Sequence, residues 1–480
     1  MQTSAQVEPA KEDAEVVAFK TREILSGLEG ISLPDHAEDQ LAQLYTLAHA
    51  VDRKYVQAWR RWLWWDGVRW CEDLTQHAFD LARDVCRAAA RLLQKDKQAE
   101  KEKLAAAILS ASTVAAVVKL ASADRRHAAV PAQFDADPDV ATSPGGTIDL
   151  RTCELRAHRR EDYITKCTAV SPDPGVDDAN WRKFLNDITC GDEDLQGYLA
   201  RLFGLCLTGD TRDHILPFFL GTGANGKSTL LELMLHIFGD YARQVPSELL
   251  MEPRGERHPT ETANLLGIRL AIASEVDEGG AWSESRIKAL TGDETMSARF
   301  MRQDFFTFKR THKLIVAGNH RPALRVVDDA IRRRIHLVPF NAHFVGGAVD
   351  LDMPAKLRRE APAILAWVVR GALDWRENGL CPPAIVTRAT AEYLASQDSL
   401  GAWVDEDCLV DDPAAETHSS VLYGAFRAWK EQRGERALSQ VRFTWQLEQR
   451  FKRERRGGVV RFQGIRLRAP GEPDLIGPRG

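Results

Sequence analysis

An α/β fold is predicted for this chain, with a largely parallel sheet in its middle and mainly helical segments on either side. Three observations predict it. From His214 to Phe344, apolar strand-like runs alternate with helix-like ones, the order that builds a parallel sheet. Within that stretch the apolar run His214 to Leu220 leads at once into Gly221-Thr222-Gly223-Ala224-Asn225-Gly226-Lys227-Ser228-Thr229, followed by an apolar helical pattern from Leu230 to Phe238. Ahead of it, from Gln40 to Leu120, apolar residues recur at helical spacing, Leu81, Val85, Ala88 and Leu92 among them.

The chain has 480 residues, with 64 Lys and Arg against 69 Asp and Glu and 44% apolar content; this excludes a disordered chain and fits about three domains. No apolar run reaches the ~18 residues of a membrane helix. The opening residues carry acids where a secretory signal needs a basic and then an apolar stretch, so a cytoplasmic protein with no membrane partner is expected. The eight cysteines, at 71, 86, 153, 167, 190, 206, 381 and 408, form no C-x-x-C pair, which argues against a zinc ribbon or a disulfide framework. The net charge of −5 is unevenly spread. Between Arg442 and Arg468 stand nine basic residues and two acids, an excess of +7 that leaves −12 for the rest. A basic end on an acidic body suggests a face for polyanions.

In order along the chain, residues 1–37 lack a firm apolar period and read as a poorly ordered tail. Residues 38–180 read as a helical module with short β segments: one hairpin about the Asp66-Gly67 turn in WLWWDGVRW, and a turn and strand at Gly145 to Leu150. Residues 181–380 hold the alternating core, ending in two amphipathic helices between Pro354 and Gly379. Residues 381–480 read as a small helical domain closed by two strands around Gly457-Gly458 and Gly464, with a flexible end. Asp135 and Asp137 have the spacing of a metal pair, but Pro138 follows directly and no strand pattern surrounds them, so a turn is predicted.

The chemistry is concentrated in the core. The segment from Gly221 to Thr229 is G-x-x-x-x-G-K-S between a strand and a helix, the context in which backbone N–H groups of Gly221, Gly223, Ala224, Asn225 and Gly226 turn toward a phosphate chain. Lys227 then reaches the β- and γ-phosphates of ATP, Ser228 ligates Mg²⁺, and Thr229 is a further nucleotide-binding candidate at the helix start. A second strand, Arg269 to Ser274, ends in Glu275, which either orders Mg²⁺ and polarises the attacking water or merely caps a core strand. A third, Lys313 to Gly318, ends in Asn319, whose amide can hold a water or the γ-phosphate and which, taken alone, is also an ordinary turn residue. Next come Arg332, Arg333 and Arg334 before the apolar run to Phe340. They offer a guanidinium for a neighbouring subunit's γ-phosphate or form a solvated basic patch.

With these motifs in this order, the sequence resembles the superfamily 3 helicases, specifically the phage and plasmid primase-helicase family. The resemblance runs from about Tyr55 to Arg468 and rests on the phosphate loop, Glu275, Lys288 to Glu294, Ala298-Arg299, Asn319 and the Arg333-Arg334 pair. Trp65 to Trp70 and Gly145 to Arg151 look like the module that precedes this core. Leu422, Tyr423, Phe426, Trp429 and Gln440 to Phe443 look like a carboxy-terminal winged helix.

The resemblance implies an AAA+-like P-loop ATPase core and a ring, usually a hexamer, with ATP between subunits and single-stranded DNA in the pore, moving 3′ to 5′. It implies a replicative helicase of a phage, plasmid or integrated element in a bacterial host cell. It also places residues 284 to 313 in the pore, where Lys288, Arg299, Arg302, Phe305, Phe306, Lys309 and Arg310 mix cations with aromatics. That mix suits backbone tracking with base stacking, and the alternative is a solvated hairpin over a core Phe pair. The winged helix implies duplex binding through Arg442, Arg453 and Arg455, with a recognition helix at about 438–452 and a wing at 455–462, or docking on another protein.

The sequence departs from the family in three places. Ser274-Glu275 stand where many ring helicases have two adjacent acids, leaving Asp277 or Glu278 as the second. Asp293-Glu294 stand where a Gly-Asp pair is common. The polymerising domain of larger family members is not seen ahead of Tyr55, so a separate primase or polymerase is expected as a partner. A different class of function also fits: an ATP-switched DNA-binding initiator or defence component that hydrolyses ATP without processive unwinding.

Overall fold

The computed structural model describes residues 37–94, 98–252, 260–274, 280–301, 304–346, 349–410, 412–434 and 437–469. Glu275, Asp277, Glu278, Arg302 and the predicted amino-terminal tail up to residue 36 lie outside the described residues. By contact the chain forms two compact units, Met1–Pro174 with Ile237–Tyr241, and Gly175–His236 with Ala242–Gly480.

The first unit is less purely helical than its sequence suggests. Helices α1 (Ala37–His49), α2 (His77–Gln94), α3 (Ala99–Ile108) and α4 (Ala111–Ala123) bury an apolar cluster that includes Leu41, Tyr45, Leu81, Val85, Val114 and Val117. Asp73 starts α2 by accepting the His77 and Ala78 amides, and Ser110 starts α4 by accepting from Thr113 N–H. The expected hairpin is present as β2 (Arg61–Trp65) and β3 (Trp70–Glu72), with the Asp66 carboxylate accepting the Val68 and Arg69 amides across the turn.

That hairpin belongs to a larger sheet, ordered β3-β2-β1-β4, with β1 at Arg53–Val56 and β4 at Ala128–Ala129. Its two added strands are four and two residues long, too short to show an alternation in sequence. A second antiparallel sheet joins β5 (Val140–Ser143), β6 (Gly146–Asp149) and β7 (Glu154–Arg156). Asp135 accepts from the Thr165 amide and hydroxyl while Asp137 pairs with Arg151, so these acids hold loops.

The second unit opens with α5 (Ala179–Ile188) and α6 (Glu193–Leu207). Its sheet strands are β8 (Leu216–Leu220), β9 (Ala242–Pro246), β10 (Leu270–Ser274), β13 (Lys313–Gly318) and β14 (Ile335–Pro339). They pair in the order β14-β8-β13-β10-β9, all parallel. All of β13 is buried, as expected of a parallel strand covered on both faces. Between strands lie α7 (Lys227–Phe238), the one-turn α8 (Thr260–Ala263), α9 (Glu284–Gly292), the hairpin β11 (Thr295–Ala298) to β12 (Phe306–Lys309), and the one-turn α10 (Asp329–Arg332). The two helices expected after the core are α11 (Met353–Arg359) and α12 (Ala361–Asn378), followed by α13 (Ala384–Gln397).

Helices α6 and α12 cross at two glycines. A Cβ on Gly204 would sit 2.1 Å from the Ala372 nitrogen, and one on Gly371 would sit 2.1 Å from the Ala200 carbonyl oxygen. Backbone rather than flexible side chain blocks the space, so the helices must separate to admit a methyl group. Gly204→Ala is expected to destabilise the protein by about 1–3 kcal/mol, read as a lower denaturation midpoint in urea. An unchanged midpoint would contradict the close crossing.

The carboxy-terminal segment packs α14 (Ser399–Asp407), α15 (Ser419–Gln432) and α16 (Gln440–Glu448) around Trp403, Phe426, Phe443, Leu447 and Phe462. Strand β15 (Cys408–Leu409) pairs with β19 (Arg466–Leu467), and β16 (Glu416–His418) with β17 (Arg453–Arg456) and β18 (Val459–Gln463) makes a sheet ordered β16-β18-β17. The helix expected at about 438–452 is shorter, because Arg453 already pairs with Phe462 across the hairpin turn at Gly457-Gly458. Among the described residues no single helix is long and apolar enough to cross a membrane.

Candidate nucleotide and nucleic-acid site

The phosphate loop is built at the carboxy end of β8. Gly223, Ala224 and Gly226 adopt φ of +97°, +50° and +80°, the left-handed conformations that turn successive N–H groups to one side of a loop. Gly221 has to be glycine for contact as well, since a Cβ there would meet Asn225 Nδ2 at 2.2 Å and the Phe340 carbonyl at 2.5 Å. Asn225 is buried and fastens the loop, donating to the Phe340 carbonyl at 3.3 Å and accepting from Lys227 N–H at 3.4 Å. From outside the motif, Phe344 N–H donates to the Ala224 carbonyl. No sequence signal marks that contact.

Lys227 begins α7 and folds back over the loop. Its Nζ donates to the Gly221 carbonyl at 2.6 Å and to Asn319 Oδ1 at 3.2 Å. Residue reading alone favoured a turn at Asn319; the geometry joins it to the lysine. Strand order explains why. β13, which ends just before Asn319, lies between the phosphate-loop strand β8 and β10, so the amide emerges beside the loop. Ser228 is exposed at the helix start, with Thr229 next to it half-buried. The left-handed loop, the helix amino terminus and an exposed serine hydroxyl fit a Mg²⁺-bound nucleoside triphosphate. The acid expected to complete the metal site, Glu275, lies outside the described residues.

Burial lowers the Lys227 pKa to about 8, because a neutral carbonyl and an amide replace water around the ammonium. Phosphates favour the charged form, so binding draws a proton onto Lys227 once the pH exceeds that value. Nucleotide affinity is therefore full below pH 8 and falls above it, by up to about tenfold per unit. Titrations at pH 7, 8 and 9 check this. Lys227→Arg should flatten the profile, and a flat profile in the unaltered chain would contradict the assignment.

The three arginines have different fates. Arg334 is buried, its Nε donating to Thr291 Oγ1 at 3.0 Å and its Nη1 to the Ala330 carbonyl at 2.8 Å. Within this chain it is an internal anchor, held by a neighbouring helix and by its own turn. Arg332 donates to Asp398 at 3.0 Å. Arg333 is exposed between them and has no partner among the described residues.

The pore candidates also divide. Phe305 is 61% exposed at the β11–β12 tip, with the Arg299 guanidinium 5.0 Å from its ring centre, and Lys309 is exposed on β12. Phe306 instead stacks on Phe300 at 5.3 Å and packs on the sheet core. Arg310 is buried, donating to the carbonyls of Asp293 and Thr211. Lys288 lies on α9 and pairs with Asp328 at 2.5 Å, the residue that caps α10, so it ties α9 to the arginine segment. Arg302 lies outside the described residues. In the carboxy-terminal segment Arg442 and Arg455 are exposed without partners among the described residues, whereas Arg453 pairs with Glu448 at 3.1 Å.

Comparison with known proteins finds similarity to two families and to viral proteins with helicase and primase names. Residues 39–190 match the D5 N terminal like family, and residues 219–334 match a family of unknown function, DUF5906. The chain is 25% identical over 308 residues to "Putative helicase L207/L206" of Acanthamoeba polyphaga mimivirus, covering 59% of this chain and 32% of that one. It is 27% identical over 259 residues to "Putative helicase 022R" of Frog virus 3, covering 50% and 26%. It is 23% identical over 326 residues to "Putative primase C962R" of African swine fever virus, covering 62% and 34%. The chain thus spans about a third of the length of the curated relatives it matches. Among solved structures it is similar to the apo NrS-1 C-terminal region, with 10% identity and a TM-score of 0.48 over 88% of this chain and 98% of that one. The chain thus combines a D5 N terminal like segment with a mixed α/β fold built on a five-stranded parallel sheet, and it is similar to viral proteins named as putative helicases and primases.

Proposed function

We propose that this chain is an ATP-dependent DNA helicase that acts in replication of a phage, plasmid or integrated element, in the cytoplasm of a bacterial host. Its subunits form a ring, a hexamer, that hydrolyses Mg²⁺-ATP at their interfaces and draws single-stranded DNA through the centre in the 3′ to 5′ direction. The observation that carries the reading is the Lys227 ammonium held between Gly221 and Asn319 at the carboxy edge of an all-parallel sheet. There a phosphate is a stronger acceptor than the neutral groups now holding the lysine. Asn319 then reports the nucleotide to β13, which the chain enters directly from the β11–β12 hairpin.

On that hairpin Phe305 supplies a stacking face, while Arg299 and Lys309 supply charge for the strand's phosphates. The carboxy-terminal helix-and-hairpin segment serves as a winged helix that takes duplex DNA through Arg442 and Arg455. A separate primase or polymerase supplies primers.

The experiment is ATP hydrolysis with and without single-stranded DNA. Stimulation is expected, and Phe305→Ala should raise the DNA concentration for half-maximal stimulation roughly tenfold, within the ~1–3 kcal/mol that a stacked base contributes. Hydrolysis indifferent to single-stranded DNA would sink the translocation reading and favour the second one, an ATP-switched initiator. That reading is favoured by the exposed Arg442 and Arg455 in the basic segment.

A further inference from the structure

Arg333 projects from between two held neighbours. On its carboxy side Arg334 is fastened to Thr291 and the Ala330 carbonyl. On its amino side Arg332 Nη2 donates to Asp398 Oδ2 at 3.0 Å. Asp398 is itself fixed, because its Oδ1 accepts the Gly401 amide at 2.9 Å and so caps α14. The helix carrying Arg332 is a single turn started by Asp328. So short a helix has little rigidity of its own, and the aim of Arg333 depends on these two anchors.

The Asp398 anchor is shared. Arg450, just past the end of α16, donates to the same Oδ2 at 2.5 Å. Gln446 of that helix donates to the Arg325 carbonyl at 3.1 Å, three residues ahead of the α10 cap. Trp445, Gln449 and Leu400 complete a small groove of about 50 Å³ there. One carboxylate oxygen thus faces two guanidiniums, and the group keeps a net positive charge at a half-exposed rim.

We infer that Asp398 is a positioning residue for Arg333 and that the Arg332–Asp398–Arg450 triad couples the carboxy-terminal helix to the ATPase site. A duplex phosphate that draws Arg450 away leaves Asp398 wholly to Arg332. The one-turn helix then tightens and Arg333 is held on target. The inference rests on the reading of Arg333 as the residue given to a neighbouring subunit's nucleotide.

The test uses the full chain and measures kcat and KM for ATP, with and without duplex DNA. Asp398→Asn retains a capping oxygen but loses the charge. It should lower kcat roughly tenfold, short of the ~100-fold that an ångström of misplacement can cost, leave KM unchanged and abolish duplex stimulation, with Asp398→Glu restoring part of it. Arg450→Gln should act in the opposite sense, raising kcat without DNA to the duplex-stimulated level. A folded Asp398→Asn protein with unaltered kcat, or Arg450→Gln with kcat unchanged or lowered, would overturn the coupling.

Hydrogen exchange of the amides at 329–334 reads the same link without hydrolysis. Duplex DNA should slow it in the unaltered chain and not in Asp398→Asn, and equal slowing in both would overturn the proposal. If the unaltered chain hydrolyses no ATP, the enzyme reading fails while the exchange result still decides the coupling.

Discussion

Replacing Lys227 by alanine is expected to lower ATP turnover by at least about 100-fold in a chain that still folds. The lysine is the charge nearest the phosphate loop, and its present partners, the Gly221 carbonyl and the Asn319 amide, are neutral groups at the site's edge. Because neither partner is an anion, its loss strands no buried counter-charge, the circumstance that makes such deletions costly to a fold. The Gly221 carbonyl is left to find water in an open loop. Steady-state hydrolysis beside a thermal unfolding curve separates the two effects. A fall in turnover matched by a large fall in midpoint would make Lys227 a structural residue.

Arg333→Ala should cost a factor of about 10³–10⁵ in kcat if the side chain acts as an arginine finger. The exposed guanidinium, which has no partner among the described residues, lies between the two anchored arginines, so its loss removes charge from the reaction without disturbing the chain that presents it. Acting in trans, it has a distinctive signature. Mixtures of Arg333→Ala and Lys227→Ala chains contain interfaces that join an intact phosphate loop to an intact arginine, and their ATPase should exceed the sum of the two inactive proteins. Mixed rings that form but never exceed that sum would show that the nucleotide is not shared between neighbours through Arg333.

The two arginines marked as a pair in sequence illustrate how far the sequence carries. Spacing locates Arg333 and Arg334 together, but it cannot tell which faces solvent, because that depends on Thr291 from a distant helix receiving one of them. The phosphate loop was legible because its residues are contiguous and each backbone conformation is written in a glycine or its neighbour. Asn319 was ambiguous for the opposite reason. Its meaning comes from the insertion of β13 beside β8, a pairing between strands almost a hundred residues apart.

In the pore region, composition grouped Lys288 and Arg310 with Phe305 and Arg299. The fold gives the first two partners within the chain, an ion pair with Asp328 for Lys288 and a buried setting for Arg310, while Phe305 and Arg299 stay together at the hairpin. The amino-terminal sheet was underestimated because β1 and β4 are too short to carry a period. Asp398 escaped notice altogether, since an aspartate before a helix reads as an ordinary cap until Arg332 and Arg450 are seen to converge on its other oxygen.

The central claim is that nucleotide hydrolysis at the Lys227 loop drives strand separation. Displacement of a labelled strand from a partial duplex, with either a 3′ or a 5′ single-stranded tail, tests it most directly. ATP-dependent displacement is predicted with the 3′ tail on the translocated strand, weak or absent displacement with the 5′ tail, and none by the Lys227→Ala chain. Assembled protein that hydrolyses ATP yet separates neither substrate would contradict the helicase account and leave an ATP-switched DNA-binding protein in its place.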